Sequence, residues 1–291
     1  MSHSSLELLA STWVPGDGPV DVRVLAAGLV NVSCRVARAG RTYLMRVAAA
    51  DSEDLGLDRE WECRVLGVAA AAQIAPTVAH CDPAHGILVA GWLSGRTWTA
   101  EQARAADNVD AMAGLLRRVH SLPIVEPPRI MNPRTWIRHY ASALERRGAA
   151  AARFAGLADA ADARLESLAA FAPVQRVLCH SDVHRFNVLV GDRLVLLDWE
   201  YAHVSDGFWD LAGWIANNDW AEEDAERLLC RYLERPPASA ERARLRDMLW
   251  LYDYVCLLWS VLYSYQRPEE AGGKVAGRIE LLEARLGTHD R

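Results

Sequence analysis

Between Val177 and Trp214 the chain reads VLCHSDVHRFNVLVGDRLVLLDWEYAHVSDGFWDLAGW. His180 and Asp182 stand one residue apart, Asn187 follows five residues after Asp182, and Asp198 ends the apolar run LVLL. A carboxylate and an amide oxygen are hard ligands suited to Mg²⁺. A second carboxylate left free of metal can take the proton of an attacking hydroxyl. Phosphoryl transfer asks little more of a protein than such positioning and charge neutralisation. Any one of these residues alone reads as a turn or capping residue at a strand end. The three together, at this spacing, read as a phosphoryl-transfer set.

The elements needed to hold them are legible nearby. VLCH is a strand that delivers Asp182 into a loop. VLV and LVLL are strands joined by the tight Gly191-Asp192 turn, which would hold Asn187 and Asp198 close together on one rim. Upstream, the β-favouring runs VDVRVLA, VSCRVARAG and RTYLMRV alternate with turn residues, and Ala39-Gly40 sits where a hairpin turn belongs. A helix is expected over Leu57–Ala72, with Leu57, Trp61, Val65, Val68 and Ala72 as its buried stripe. Two strand-like runs follow Pro76, TVAHC and GILVAGWL, the second ending at Ser94-Gly95. From there helical pattern dominates, over Thr99–Ala106, Asn108–His120, Asn132–Arg147 and Asp159–Ala170. It resumes after Trp199 near Phe208–Asn217, Ala221–Leu233, Ala238–Tyr265 and Val275–Leu286. This order predicts an α+β fold of two lobes: a small antiparallel β lobe with one helix over residues 1–93, and a larger, mainly helical lobe over 94–291.

Composition narrows the class. The chain has 291 residues, enough for a sizeable core, and a formal net charge of −6. That charge argues against a broad cationic surface for nucleic acid or an anionic membrane. The six cysteines are scattered without metal-ligand spacing and read as reduced, buried small hydrophobes. The N-terminal MSHSSLELLASTW lacks a basic segment followed by a long apolar run, so no signal peptide is expected and a cytoplasmic setting is. Met248–Tyr265, the most apolar stretch, is interrupted by Asp253 and reads as a core helix rather than a membrane span.

HSDVHRFN and LLDWEYA resemble the catalytic loop and the metal-binding segment of the aminoglycoside phosphotransferase and choline kinase superfamily of kinase-like enzymes. The resemblance implies ATP and Mg²⁺ as cofactors and a small-molecule alcohol as acceptor. It implies Asp182 as catalytic base, Asn187 and Asp198 as Mg²⁺ ligands, and Asp210 as a structural brace of the catalytic loop, with His180 orienting that loop. AGLVNVSCRV looks like the family's phosphate-covering hairpin, which implies nucleotide contacts from Gly28, Asn31 and Ser33. Arg46, in RTYLMRV, stands where most kinase-like proteins carry a phosphate-binding lysine; an arginine still offers a permanent charge and paired donors. Helical geometry leaves Glu60 and Glu62 equally placed to pair with Arg46. The family's R-x-x-E pattern, read from Arg59, favours Glu62. GILVAGWLSGR looks like the inter-lobe linker, with backbone groups around Ala90 and Trp92 holding adenine.

DWEYA is more like the choline, ethanolamine and thiamine kinase branch than the antibiotic-modifying one. Aromatic residues crowd the last third, and aromatic faces bind quaternary ammonium or thiazolium cations. Trp214, Trp250 and Tyr254 are therefore candidate acceptor contacts, although most aromatics at helical spacing are core. Asp253 and Glu200 join them as carboxylates able to pair with a cationic alcohol. An aminoglycoside or sugar acceptor is the alternative within enzymes. A catalytically silent nucleotide-binding scaffold is the alternative outside them, kept open by Arg46 and by the glycine-poor hairpin.

Overall fold

The computed structural model describes residues 2–25, 30–48, 54–148, 154–218, 220–268 and 272–288. The chain forms two compact units. The first comprises Met1–Glu53, Leu57–Trp98 and Phe186–Ala202. The second comprises Asp54–Gly56, Thr99–Arg185 and His203–Arg291.

The first unit is built on an antiparallel sheet of β1 (Asp21–Val24), β2 (Asn31–Arg38), β3 (Arg41–Ala48), β4 (Val78–Asp82) and β5 (Ile87–Gly91), in spatial order β1-β2-β3-β5-β4. Ala39 and Gly40 make the β2–β3 turn with φ of 49° and 74°. Those two positive values match the twist of the strands they join. Alternation along the strands sends Cys34, Val36, Tyr43, Met45, Val47, Ile87 and Val89 to one face, where they bury against Leu6, Ala10 and Val14. Leu6 and Ala10 belong to α1 (His3–Trp13), a helix the sequence reading did not anticipate, capped by the Ser2 hydroxyl. The same alternation sends Asn31, Ser33 and Arg46 to the opposite face. Helix α2 (Arg59–Ala71) is capped by Asp58, whose carboxylate accepts from Trp61 N, and buries Trp61, Val65, Leu66 and Ala69.

Two expectations are corrected in this unit. The boundary is not a single cut near residue 93. Residues 94–98 and 186–202 join the N-terminal strands because Arg96 and Val190 exchange backbone hydrogen bonds and Leu196 N donates to Ile74 O. That later segment is the hairpin of β7 (Val188–Val190) and β8 (Leu194–Leu196), paired antiparallel. The cysteines are not all free thiols either. Cys63 on α2 and Cys81 on β4 form a disulfide, their Cα atoms 6.0 Å apart, within normal bridging distance. Separated by 18 residues in sequence, they carried no spacing signal.

The second unit contains α3 (Ala100–Arg104), α4 (Ala106–His120), α5 (Pro133–Arg146), α6 (Ala155–Ala170), α7 (Phe208–Asn217), α8 (Glu222–Leu233), α9 (Ser239–Gln266) and α10 (Lys274–Thr288). Thr99 and Gln102 form a capping box on α3, and Asn132 with Pro133 starts α5. A short antiparallel pair, β6 (Arg176–Cys179) with β9 (His203–Asp206), brings Cys179 opposite His203. β9 was not expected, since HVSD is short and polar. Helix α9 is buried nearly all round and packs against α5, α6, α7 and α10. No helix among the described residues is long and apolar enough to cross a membrane.

Candidate active-site residues

In the first unit the functional side chains form a charged network. Arg46 is 6% exposed, and one of its terminal nitrogens donates to both carboxylate oxygens of Glu62 at 2.6 Å. Its other terminal nitrogen donates to Asp198 Oδ1 at 2.8 Å. Arg59 donates to Glu62 Oε2 at 2.9 Å, to Glu200 Oε2 at 2.7 Å and to Asn31 Oδ1 at 2.9 Å. The Asn31 amide closes the circuit by donating to Glu200 Oε2 at 2.7 Å. Glu60, which helical geometry could not separate from Glu62, is exposed. A buried charge is costly unless paired and hydrogen-bonded, and here each is.

Two arginines in this network face three carboxylates, Glu62, Asp198 and Glu200. Burial opposes ionisation of Glu62, but the Arg46 and Arg59 charges outweigh it and hold its pKa below the usual range. Burial first, then the Asp198 charge, pushes Glu200 up. The network thus holds one more acid than base, and the raised Glu200 is the group in which that excess shows. The chemistry of the donor set fits Mg²⁺: Asp198 contributes a carboxylate that is 38% exposed, and Asn187 an amide oxygen. Asn187 O accepts from Leu197 N at 2.8 Å, so the two residues lie at the same end of the β7–β8 hairpin. Asp198 sits at φ 63°, ψ 68°, a left-handed conformation uncommon outside glycine and frequent at functional sites.

The nucleotide-side expectations fare unevenly. Ser33 is in register with Arg46 across β2–β3 and shares its sheet face. Ala90 is buried in β5 opposite Leu44, and Trp92 N donates to Thr42 O at 3.2 Å. Gly28 lies outside the described residues. Asn31 is corrected: its amide is engaged at both ends by Glu200 and Arg59, so it ties the hairpin to the network rather than offering a free donor to phosphate. Glu200 is corrected likewise. It is 4% exposed and bound to Asn31 and Arg59, a member of the arginine network and not an acceptor contact.

In the second unit the loop that carries Asp182 hangs from Asp210. One oxygen of its carboxylate accepts from His180 N at 2.8 Å and the other from Ser181 N at 2.7 Å. His120 Nε2 lies 3.1 Å from the former oxygen, while His120 Nδ1 is 2.8 Å from the Tyr232 hydroxyl. Ser181 holds φ 72°, and its hydroxyl meets His203 Nδ1 at 2.8 Å. Asn217 donates to Val183 O at 3.3 Å and to Tyr252 OH at 2.9 Å. Asp182 is thereby presented by a loop whose backbone is fixed on both sides. Burial opposes its ionisation, but the charge and hydrogen bond of His184, 3.6 Å away, with the charges of His180 and Arg278, hold it down at about 2.

The sequence reading gave His120 only as the end of a helix and passed over Tyr232, Asn217, His203 and Arg278. His120, Tyr232 and Arg278 lie far in sequence from the motif and are brought to it by tertiary packing, whereas His203 lies within the stretch and Asn217 just beyond it at spacings that carry no signal. The aromatic acceptor candidates are corrected. Trp214, Trp250 and Tyr254 are 0%, 1% and 3% exposed and belong to the core, with the Arg164 guanidinium over the Trp250 ring at 4.3 Å. Asp253 is 5% exposed and pairs with Arg285 at 2.9 Å, so a protein arginine, not a cationic acceptor, meets this carboxylate.

Residues 21–248 match the model of the APH phosphotransferase enzyme family. No curated protein sequence matches the chain. Among solved structures, it is similar to a choline/ethanolamine kinase family protein from Mesorhizobium loti, with TM-score 0.78 at 22% identity over 99% of this chain and 94% of that one. The choline kinase LicA from Streptococcus pneumoniae aligns with TM-score 0.80 at 21% identity, over 99% of this chain and all of the other. A spectinomycin phosphotransferase solved with ADP and spectinomycin aligns with TM-score 0.61 at 14% identity, over 97% and 93% of the two chains. At such identities the likeness is one of fold.

Proposed function

The chain belongs to the phosphotransferase enzyme family, and on that premise we propose that it moves the γ-phosphoryl group of ATP to a hydroxyl of a small molecule. In this reading Asp182 takes the hydroxyl proton. The acceptor oxygen bonds to the γ-phosphorus as the bond from phosphorus to the β–γ bridging oxygen breaks, releasing ADP. Arg46 binds phosphate oxygens, held in place by Glu62. Asn187 and Asp198 would hold Mg²⁺, which neutralises charge on the transferred group when bound.

The observation that carries the reading is the placement of Asp182. Its carboxylate lies 3.6 Å from His184 on a loop whose backbone is pinned by Asp210, and these surroundings hold its pKa low. A general base must be ionised and positioned before the hydroxyl arrives. A cationic alcohol, suggested by the names of two of the structural neighbours, loses the support it had in the aromatic residues, because those side chains are core.

The test is a coupled ADP-release assay with ATP and Mg²⁺ over a panel of small alcohols, with Asp182→Asn as control. Acceptor-dependent release that the control abolishes is the expected result. Nucleotide binding without turnover on any acceptor would favour a silent scaffold.

A further inference from the structure

Helix α10 turns one face toward α9. Val275, Leu282 and Leu286 are buried on it, and helical spacing puts Arg278 and Arg285 on that same face. The two arginines have different company. Arg285 pairs with Asp253 at 2.9 Å and donates to Ala216 O at 3.1 Å. Arg278 is exposed, with its guanidinium carbon 5.9 Å from the centre of the Trp259 ring. The Cys256 thiol lies within its hydrogen-bonding reach, one turn along α9 from Tyr252, whose hydroxyl donates to Ser181 O at 3.5 Å beside Asp182, and the Arg278 charge helps hold the Asp182 pKa down. Among the described residues no carboxylate lies within ion-pairing distance of Arg278.

A permanent cation open to solvent, near the base and without an acid of its own, is a poor neighbour for a cationic acceptor, since like charges repel. It suits an anion. The guanidinium fork matches carboxylate and phosphate oxygens, and an aromatic face beside it steadies the plane of the fork. His180 and His184 flank Asp182 as well, while the Asp210 carboxylate that also meets this loop is taken up by the His180 and Ser181 N–H groups.

We propose that Arg278 selects the acceptor, and that the alcohol phosphorylated here carries a carboxylate or phosphate group held by the Arg278 guanidinium while Asp182 receives the hydroxyl proton. This rests on the phosphotransferase reading above and names the acceptor class for it.

The experiment compares acceptors in matched pairs: 3-hydroxypropionate with its amide, serine with serinamide, and glycerol 3-phosphate with glycerol. Choline and ethanolamine represent cationic alcohols. Wild type should prefer an anionic member over its neutral partner by roughly 10- to 100-fold in kcat/KM, the range of a charge-assisted hydrogen bond. Arg278→Gln should erase that preference through the acceptor KM and not the nucleotide KM, and Arg278→Lys should restore part of it. The carboxylate and phosphate pairs tell the two anions apart.

Preference for choline, ethanolamine or the neutral partners, or a preference for anions that survives Arg278→Gln, would overturn the proposal while leaving the phosphotransferase reading intact. If no acceptor turns over, calorimetric titration with 3-hydroxypropionate and glycerol 3-phosphate decides. Binding by wild type that Arg278→Gln loses and Asp182→Asn keeps supports the proposal; no binding by wild type overturns it. Failure of the phosphotransferase reading itself would show separately, as absence of Mg-nucleotide binding.

Discussion

Arg46 and Asp182 are held in place by different physics. Arg46 is fixed by charge, through Glu62 and Asp198, with Arg59, Glu200 and Asn31 completing a circuit drawn from β2, β3, α2 and the segment after β8. Asp182 is fixed by its neighbours: Asp210, Asn217 and Tyr252 grip the backbone on either side of it, and His203 holds the Ser181 hydroxyl. The first arrangement leaves an excess of carboxylate where a cation and phosphates would exchange places. The second fixes a loop by its backbone and sets His184 3.6 Å from the Asp182 carboxylate. A charge network tolerates incoming charge by redistributing its pairs, whereas a braced loop preserves one geometry.

Substitutions can break each side of this contrast separately. Asp182→Asn should give the largest effect, a loss of turnover of roughly 10²–10⁴-fold, the usual worth of a general base, with Mg-nucleotide affinity retained. Steady-state kinetics beside calorimetry would check it. Glu62→Ala removes the carboxylate shared by the buried Arg46 and the half-buried Arg59 and should cost about 3–5 kcal/mol of stability in urea unfolding. Normal unfolding of that variant would deny the network its structural role. Asp210→Asn replaces an acceptor of two backbone N–H groups by an amide that can satisfy only one well. It should cost about 1.5–3 kcal/mol and lower kcat more than it raises the nucleotide KM.

The smallest effect is pH-dependent. Asp182, Asp210 and Glu62 all titrate below their ordinary values in the folded chain. Their stabilisation is complete above the unfolded values near 4 and disappears as pH falls through the folded ones. For Asp182 that window runs from about 4 to about 2 and is worth about 2 kcal/mol. Glu200 shifts the other way, to about 7, so proton uptake by the folded chain should raise thermal stability as pH falls from 7 to 5, with the fall setting in only below that and shallower in Asp182→Asn.

Much of the braced loop was legible in the sequence, because its parts are local. HSD, the asparagine five residues on, the Gly191-Asp192 turn and the aspartate after LVLL lie within one stretch, where strand and turn chemistry fix their order. The hairpin at Ala39-Gly40 and the helix over Arg59–Ala71 were legible for the same reason. The charge network was only half legible. Arg46 and Glu62 follow from the family pattern, but Asn31 and Glu200 were assigned to ligands because nothing in their neighbourhoods reveals a partner 169 residues away. The aromatic residues of α7 and α9 misled for a further reason. A helix buried all round shows no polar face by which to tell core from site, and its one carboxylate finds its arginine on α10. The disulfide and β9 were missed because neither has a local signature.

The central claim separates a base from a metal site. Its most direct test is calorimetric titration of ATP, with and without Mg²⁺, into wild type, Asp182→Asn and Asp198→Ala. The account predicts that Mg²⁺ strengthens nucleotide binding in wild type and in Asp182→Asn, and that Asp198→Ala loses this enhancement. Undiminished Mg²⁺ enhancement in Asp198→Ala, or its loss in Asp182→Asn alone, would contradict it.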